Sequence, residues 1–269
     1  MSIIKKALGL ISFNKGNINN RAALDIDKIK EGPIPRHIAV IMDGNGRWAK
    51  TRGLPRTAGH QKGVARLKEF IRVATQLGVE YITTYAFSTE NWKRPEKEVD
   101  FLMDLFEKVF LEEVEHFNRE GVKVNIIGNK NRLPSAVKKR VEEVMDVTKG
   151  NSRIVVNVAL DYGGRFELVN VVKEIAQKLL DGELDLTDVD EDLIGGSLYT
   201  KDQPDPDLLI RPGGEKRISN FLLWQLAYSE VYFSDVYWPN FKKNELLSAV
   251  YEFQQRERRF GGLKGSGGE

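Results

Sequence analysis

Residues 37–49 read HIAVIMDGNGRWA. The apolar run His37–Asp43 ends in an acid and passes directly into a glycine-flanked turn carrying Asn45 and Arg47. A short apolar run closed by such a turn reads as a buried strand. The same unit recurs along the chain. Further strands are expected at Tyr81–Ser88, Val122–Gly128, Arg153–Leu160, Leu208–Arg211 and Glu230–Ser234. Helical patterns separate them. Val64, Leu67, Phe70, Ile71, Ala74 and Leu77 form a one-sided stripe closed by Gly78; others run over Glu96–Arg119, Pro134–Lys149, Phe166–Leu180 and Asn244–Arg259. This alternation predicts an α/β fold: a single domain with a central, mostly parallel sheet of about six strands flanked by helices. The domain is expected over residues 35–262, after a leader of residues 1–34 and before a Gly-rich tail of residues 263–269.

Composition narrows the function. The 269 residues are 41% hydrophobic and 30% charged, with a formal net charge of +2. That is enough chain for a sizeable core and too little net charge for a general nucleic-acid binder, so no nucleic-acid partner is expected. Bound anions would have to be held by local arginine clusters. The absence of cysteine excludes disulfides and thiolate metal sites and fits a reducing, cytoplasmic compartment. No apolar run approaches the ~18 residues needed to span a bilayer. Met1–Phe13 places Ile3, Ile4, Ala7, Leu8 and Ile11 on one helical face beside Lys5 and Lys6. That segment suits either an interfacial helix making peripheral contact with a membrane or a loosely ordered leader. The helix expected at Glu96–Arg119 is apolar over an arc of roughly 200°, wider than the ~100° stripe of a surface helix. Either it is wedged between the sheet and another helix, or one side packs on the sheet while the other lines an apolar tunnel.

Three polar clusters directly follow strands, and ligands of parallel sheets gather at the strands' carboxyl ends. In the first, Gly44 and Gly46 let backbone N–H groups approach an anion, and Arg47 adds a charge-assisted donor. An acid beside an anion cradle calls for a cation between them. Mg²⁺ uses one or two carboxylates plus substrate phosphates, so Asp43 reads as a Mg²⁺–diphosphate anchor. Gly44–Ala49 also fits the dinucleotide pattern G-x-G-x-x-G/A, but no acid closes a second strand about 20 residues on, and bulky Trp48 sits in the turn. A ligand-free Asp–Gly turn is the plainer alternative. The second cluster, Ser88–Pro95, suits phosphate and water contacts or a solvated loop that caps a helix. In the third, Arg211, Arg217 and Ser219 could clamp a second diphosphate through planar bidentate donors. Glu230 opens the last strand; it could reach the metal of Asp43 or be a solvated strand end.

The segments HIAVIMDGNGRWAK, RTAGHQKG, YAFSTENWKRP, DYGGRFEL, DLLIRPGGEKRISNFLLWQLAYSE and RRFGG follow one another from residue 37 to about residue 262. Together they resemble the cis-prenyltransferase family, most of all its bacterial undecaprenyl-forming branch. The resemblance implies sequential condensation of isopentenyl diphosphate onto farnesyl diphosphate, giving a lipid-carrier precursor for the cell wall. It implies that Asp43 holds Mg²⁺ and the allylic diphosphate with Gly44, Asn45, Gly46, Arg47 and Trp48, joined by Arg56 and His60. It assigns Asn91 to proton removal, with Ser88, Thr89, Glu90, Trp92 and Arg94 around it. Arg211, Arg217, Ile218 and Ser219 would bind isopentenyl diphosphate, and Glu230 would complete the metal site. Arg259 and Gly261 resemble an R-x-G element that completes the site across a homodimer. Three alternatives stay open: a synthase of different product length, a non-catalytic accessory subunit of a heteromeric prenyltransferase, and an oxidoreductase resting on the glycine pattern alone. The presence of Asp43, Asn91 and Glu230 argues against the accessory subunit, and no Asp-rich DDxxD motif of trans-prenyl synthases occurs.

Overall fold

A computed structural model describes residues 25–256. In chain order its elements are α1 (Ile26–Lys30), β1 (His37–Ile41), α2 (Asn45–Lys50), α3 (Arg56–Leu77), β2 (Tyr81–Ser88), α4 (Glu96–Arg119), β3 (Val122–Ile127), α5 (Ser135–Thr148), β4 (Ile154–Tyr162), α6 (Gly164–Leu180), α7 (Glu191–Gly195), β5 (Leu208–Pro212), β6 (Glu230–Ser234) and α8 (Lys243–Gln254). The six strands form one sheet in the order β3-β4-β2-β1-β5-β6, and every neighbouring pair is parallel. The expected α/β domain is therefore the one observed. Among the described residues no helix is long and apolar enough to cross a membrane.

Alternation along the strands separates two faces. Ile38, Val40, Ile82, Val124, Val156, Leu208 and Ile210 turn into a large core shared with α3, α4, α5 and α8. Ala39, Ile41, Ile127, Ala159 and Leu209 turn the other way, onto Phe221 and Leu222. Burying one such Val, Leu or Ile side chain contributes about 1.5–3 kcal/mol. A polar row interrupts the second face. His37 is fully buried, and burial pushes its pKa down to about 4 despite the Pro204 carbonyl. That carbonyl can only accept, so Nδ1 is the protonated nitrogen and donates to it at 2.7 Å, leaving Nε2 to accept from the Thr83 hydroxyl at 2.7 Å. Asn157 Nδ2 in turn donates to Thr83 Oγ1 at 2.9 Å. The row is satisfied, which is what allows it to be buried.

Three local readings change. β1 stops at Ile41 rather than Asp43, because Gly44 at φ 93° turns the chain and Asn45–Lys50 is a helix rather than a turn. β4 runs on through Tyr162. Within the span expected as leader, α1 packs onto the chain: Ile29 is buried and its carbonyl accepts a 2.7 Å hydrogen bond from Gln254 Nε2. The possible membrane helix at Met1–Phe13, the residues Arg259 and Gly261, and the Gly-rich tail lie outside the described residues.

The topology also places the crevice. From β1 the chain crosses to β2 on one side, and it later returns to β5 on β1's other side. Beyond the carboxyl ends of β1 and β5 the loops diverge, and that divergence is where ligands of open α/β sheets bind.

Candidate active site

Asp43 stands just past β1, at this divergence. Gly44 must be glycine: its φ is positive, and a Cβ there would lie 2.7 Å from the Tyr237 ring. The Asp43 carboxylate accepts from Arg211 at 2.9 Å and from the Gly44 N–H, and it pairs with Arg47 at 3.1 Å. Burial pushes this carboxyl up. The Arg211 hydrogen bond and the charges of Arg211 and Arg47 outweigh burial and hold it below the usual aspartate value. Asn45 donates to the Met42 carbonyl at 2.9 Å, while its Oδ1 is buried without a hydrogen-bond partner. Gly59, from the RTAGHQKG segment, lets α3 press against α2: a Cβ there would sit 2.1 Å from the Asn45 carbonyl oxygen.

β5 supplies the facing group. Arg211 is almost wholly buried and donates to Ser219 Oγ at 2.8 Å and to the Arg217 carbonyl. Its Nε–H has no partner. Ser219, Asn220 and Leu222 all have positive φ (51°, 62° and 43°), a cost of about 1–3 kcal/mol each that persists only where the surroundings impose it. Here Asn220 is tied on three sides: its Oδ1 accepts from Arg165 N at 2.9 Å, its carbonyl from Gly164 N at 2.7 Å, and its Nδ2 donates to Glu90 at 3.0 Å. Arg217 is exposed and pairs with Glu215, which also takes Arg47 at 3.4 Å.

The turn after β2 forms the third side. Ser88 and Asn91 cap one another, Ser88 N–H donating to Asn91 Oδ1 at 3.2 Å, which sets the Asn91 side chain at the start of a single tight turn. Glu98 was missing from the sequence reading. It lies in the first turn of α4 and gathers three of the expected diphosphate ligands: Arg56 at 3.1 Å, Arg94 at 3.1 Å and His60 at 3.5 Å. Burial raises its carboxyl, and the charges of Arg56 and Arg94 more than reverse that. Burial and the Arg94 charge push His60 down to about 4, so it is neutral at pH 7. The spacing Arg94–Glu98, four residues apart at a helix start, was the available signal.

These groups open into one cavity of about 800 Å³. Five arginines (47, 56, 94, 211 and 217) and two carboxylates (Asp43 and Glu90) line it together with His60, Asn91 and Ser219. Its inner wall is Leu67 and Ile71 of α3, Leu102, Phe106 and Phe110 of α4, and Val156 and Val158 of β4. On α4, Leu102, Phe106 and Phe110 line this cavity, while Val99, Met103 and Val114 of the same helix are packed in the core.

Four expected residues do not line the cavity. Trp48 instead donates its indole N–H to Asn240 at 2.9 Å and carries Arg52 on its face. Ile218 packs against the smaller core, Thr89 lies beside Gly163, and Trp92 donates to Asp161. Glu230 lies farther away. In parallel register it stands opposite Leu208, itself opposite Ile38, so it lies where the strands begin, paired with Arg256 at 2.7 Å. Within one chain it stands at the end of the sheet opposite Asp43. Among the described residues no cluster of three or more carboxylate or imidazole groups could hold a metal. The single ionised Asp43 amid guanidinia fits Mg²⁺, which takes one or two protein carboxylates and fills its shell with water and substrate phosphates.

Comparison with known proteins agrees with this geometry. A family model described as "Putative undecaprenyl diphosphate synthase" matches residues 41–261. An isoprenyl transferase of Clostridium perfringens is 50% identical over 234 residues, covering 87% of this chain and 92% of its own. One from Prochlorococcus marinus is 49% identical over 250 residues, covering 93% and 90%. The crystal structure of lavandulyl diphosphate synthase from Lavandula x intermedia, in complex with dimethylallyl diphosphate, superposes with a TM-score of 0.83 at 37% identity, covering 88% of this chain and 100% of that one. With its parallel sheet, its arginine-lined crevice and about half of its aligned residues shared with isoprenyl transferases, the chain belongs to the cis-prenyltransferase family.

Proposed function

We propose that the protein is a magnesium-dependent synthase that condenses isopentenyl diphosphate successively onto farnesyl diphosphate, ending at undecaprenyl diphosphate for cell-wall synthesis. One observation carries this reading: an arginine-rich mouth opens directly into an aliphatic and aromatic chamber. A diphosphate headgroup and a growing hydrocarbon need both, joined.

In this reading Arg47, Arg56 and Arg94, with the N–H groups of Gly44, Asn45 and Gly46, hold the allylic diphosphate. Arg211, Arg217 and Ser219 hold isopentenyl diphosphate. Convergent guanidinia stabilise the negative charge that grows on the leaving diphosphate as the allylic C–O bond breaks. The apolar wall, acting as a tunnel for the chain, excludes water that would quench the allylic cation before the isopentenyl double bond attacks it. Asn91 is too weak a base to take the proton whose loss restores the alkene; it orients a water or diphosphate oxygen that does. Asp43 would hold magnesium, which would supply charge neutralisation that makes the diphosphate a better leaving group. A homodimer completed by Arg259 and Gly261, a cytoplasmic location and a leader touching the membrane's inner face belong to the same reading.

A synthase with a shorter primer and a different product is the second reading, favoured by the likeness to an enzyme that binds dimethylallyl diphosphate. Incubation with farnesyl or dimethylallyl diphosphate, labelled isopentenyl diphosphate and Mg²⁺, with and without EDTA, separates the two. A metal-dependent ladder from farnesyl diphosphate ending near eleven isoprene units is the expected result. Elongation only from the shorter primer selects the second reading. No elongation from either, by folded protein, restores the accessory-subunit alternative.

A further inference from the structure

The DYGGRFEL segment opens with an acid that the chemistry above does not use. Asp161 ends β4 on the same rim as Asp43, and its side chain is wholly buried. Its φ is +49°, where a non-glycine residue is strained. The surroundings impose that conformation. Asn129 N–H donates to the Asp161 carbonyl at 3.0 Å, and the Asp161 main chain is packed so closely on Gly128 that a Cβ there would lie 3.0 Å from this carbonyl oxygen.

The carboxyl is used on one side only. Oδ1 accepts from the Trp92 indole N–H at 2.7 Å. Oδ2 is buried with no hydrogen-bond partner. Arg132 approaches Oδ1 no closer than 3.7 Å with a half-exposed side chain, and its guanidinium lies over the Trp92 ring at 4.9 Å. Burial raises the Asp161 carboxyl above its usual value, and the Trp92 hydrogen bond and Arg132 only partly offset that. Trp92 also meets Phe87 edge-on at 5.1 Å, and Phe87 meets Phe106 of the chamber wall. Trp92 is the residue after Asn91, in the one tight turn Thr89–Lys93. That turn is thus pinned at two places: Glu90 to Asn220, and Trp92 to Asp161.

We propose that Asp161 is a positioning residue whose buried acceptor oxygen holds Trp92, and through it the turn that aims Asn91, with acceptor capacity rather than charge as its contribution. The catalytic part of this inference rests on the condensation assigned above; the anchoring part does not. An amide at this position keeps the one acceptor in use and removes a charge that nothing nearby fully compensates. An alanine removes both.

The test uses the full chain: the parent, Asp161→Ala, Asp161→Asn, Trp92→Phe and the Asp161→Ala/Trp92→Phe double variant. Steady-state condensation is measured alongside the Trp92 indole N–H resonance in ¹H–¹⁵N NMR spectra, assigned by its loss in Trp92→Phe. Asp161→Ala and Trp92→Phe should each lower kcat by about 10- to 100-fold, with KM for both diphosphates changed less than about threefold. The double variant should be no slower than the slower single. Asp161→Asn should restore kcat to within about threefold of the parent, since misplacement rather than lost charge is the defect. The indole resonance should move upfield in Asp161→Ala and stay near its parent position in Asp161→Asn. Additive losses in the double variant, or an Asp161→Asn enzyme as slow as Asp161→Ala, would overturn the proposal. So would parent-like turnover in Trp92→Phe, which decides the matter even if Asp161→Ala fails to fold. If the parent condenses no prenyl substrate, the assigned function fails; the resonance still tests the anchor, and its standing still in Asp161→Ala would sink it.

Discussion

The two ends of the sheet both carry charge but dispose of it differently. Where the strands begin, Arg36 gives Nε and Nη2 to Glu80 at 3.1 and 2.9 Å, and Asp207 Oδ2 accepts from the N–H groups of Arg36 and His37. Arg36 and Glu80 are matched locally at the surface, and Asp207 is held by main-chain N–H groups. Where the strands end, five guanidinia and two carboxylates border one cavity, and Asp43 and Glu98 each serve more than one cation. At the first end the named groups are taken up by one another and by the backbone; the second has donors to spare, and surplus donors are what an anion requires. Orientation of the strands, more than residue type, distinguishes a structural charge from a functional one here.

Substitutions at the two ends should therefore separate. Asp43→Ala should cost about a thousandfold in turnover, a loss of the size expected when a preorganised charge-stabilising group is removed, while Tm stays near the parent's. Near-normal kcat would dissolve the contrast at its centre. Acid should weaken the opposite end. Between pH 6.5 and about 4 the unfolded chain takes up a proton that buried His37 refuses, so stability is full above that window and falls as pH drops through it. From pH 7 to pH 5 this amounts to about 2 kcal/mol for His37 and a similar amount for His60, which is pushed down to the same value; urea titration reads the sum, and equal stability at the two pH values would mean that neither histidine is held neutral. Glu98→Gln should lower kcat/KM for the allylic substrate about tenfold, as Arg56, Arg94 and His60 lose their shared anion. If kcat/KM is unchanged, Glu98 does not order the mouth. The smallest effect belongs to Glu80→Gln, with kcat unchanged and Tm within about 2 °C of the parent, because exposed ion pairs contribute little. A fall in kcat there would show that the two ends are coupled.

Most of the fold was legible because each strand is short, apolar and followed by a turn or a helix stripe. Every strand was placed to within two residues at each end. β1 ran two residues too far because the apolar pattern continues through Met42, whereas the hydrogen-bond ladder does not. The rim clusters were legible for the same reason: Asp43 and Asn91 follow strands, and Arg211 sits at the end of one. Glu230 starts a parallel strand and so lies at the edge opposite the rim clusters, a placement readable from the strand direction. Trp48 and Ile218 belong to the right segments, but which way a side chain turns from a short helix or a left-handed loop depends on neighbours distant in the chain. Glu98 looked like an ordinary acid in a helix's first turn, where the helix dipole alone would account for it. Only the fold brings Arg56 to it, 42 residues away.

The position of β1 has a consequence for how the protein is made. It is the fourth strand in spatial order, flanked by β2 and by β5, and β5 begins only at Leu208. On the ribosome, residues 37–41 can pair with the strand at 81–88 early, but their other edge stays open until residue 208 and beyond have emerged. Until then Asp43 lacks Arg211, and a nascent chain presents an unpaired apolar strand edge, the feature most open to mispairing with other chains. Chains truncated before β5 should therefore be insoluble rather than merely inactive.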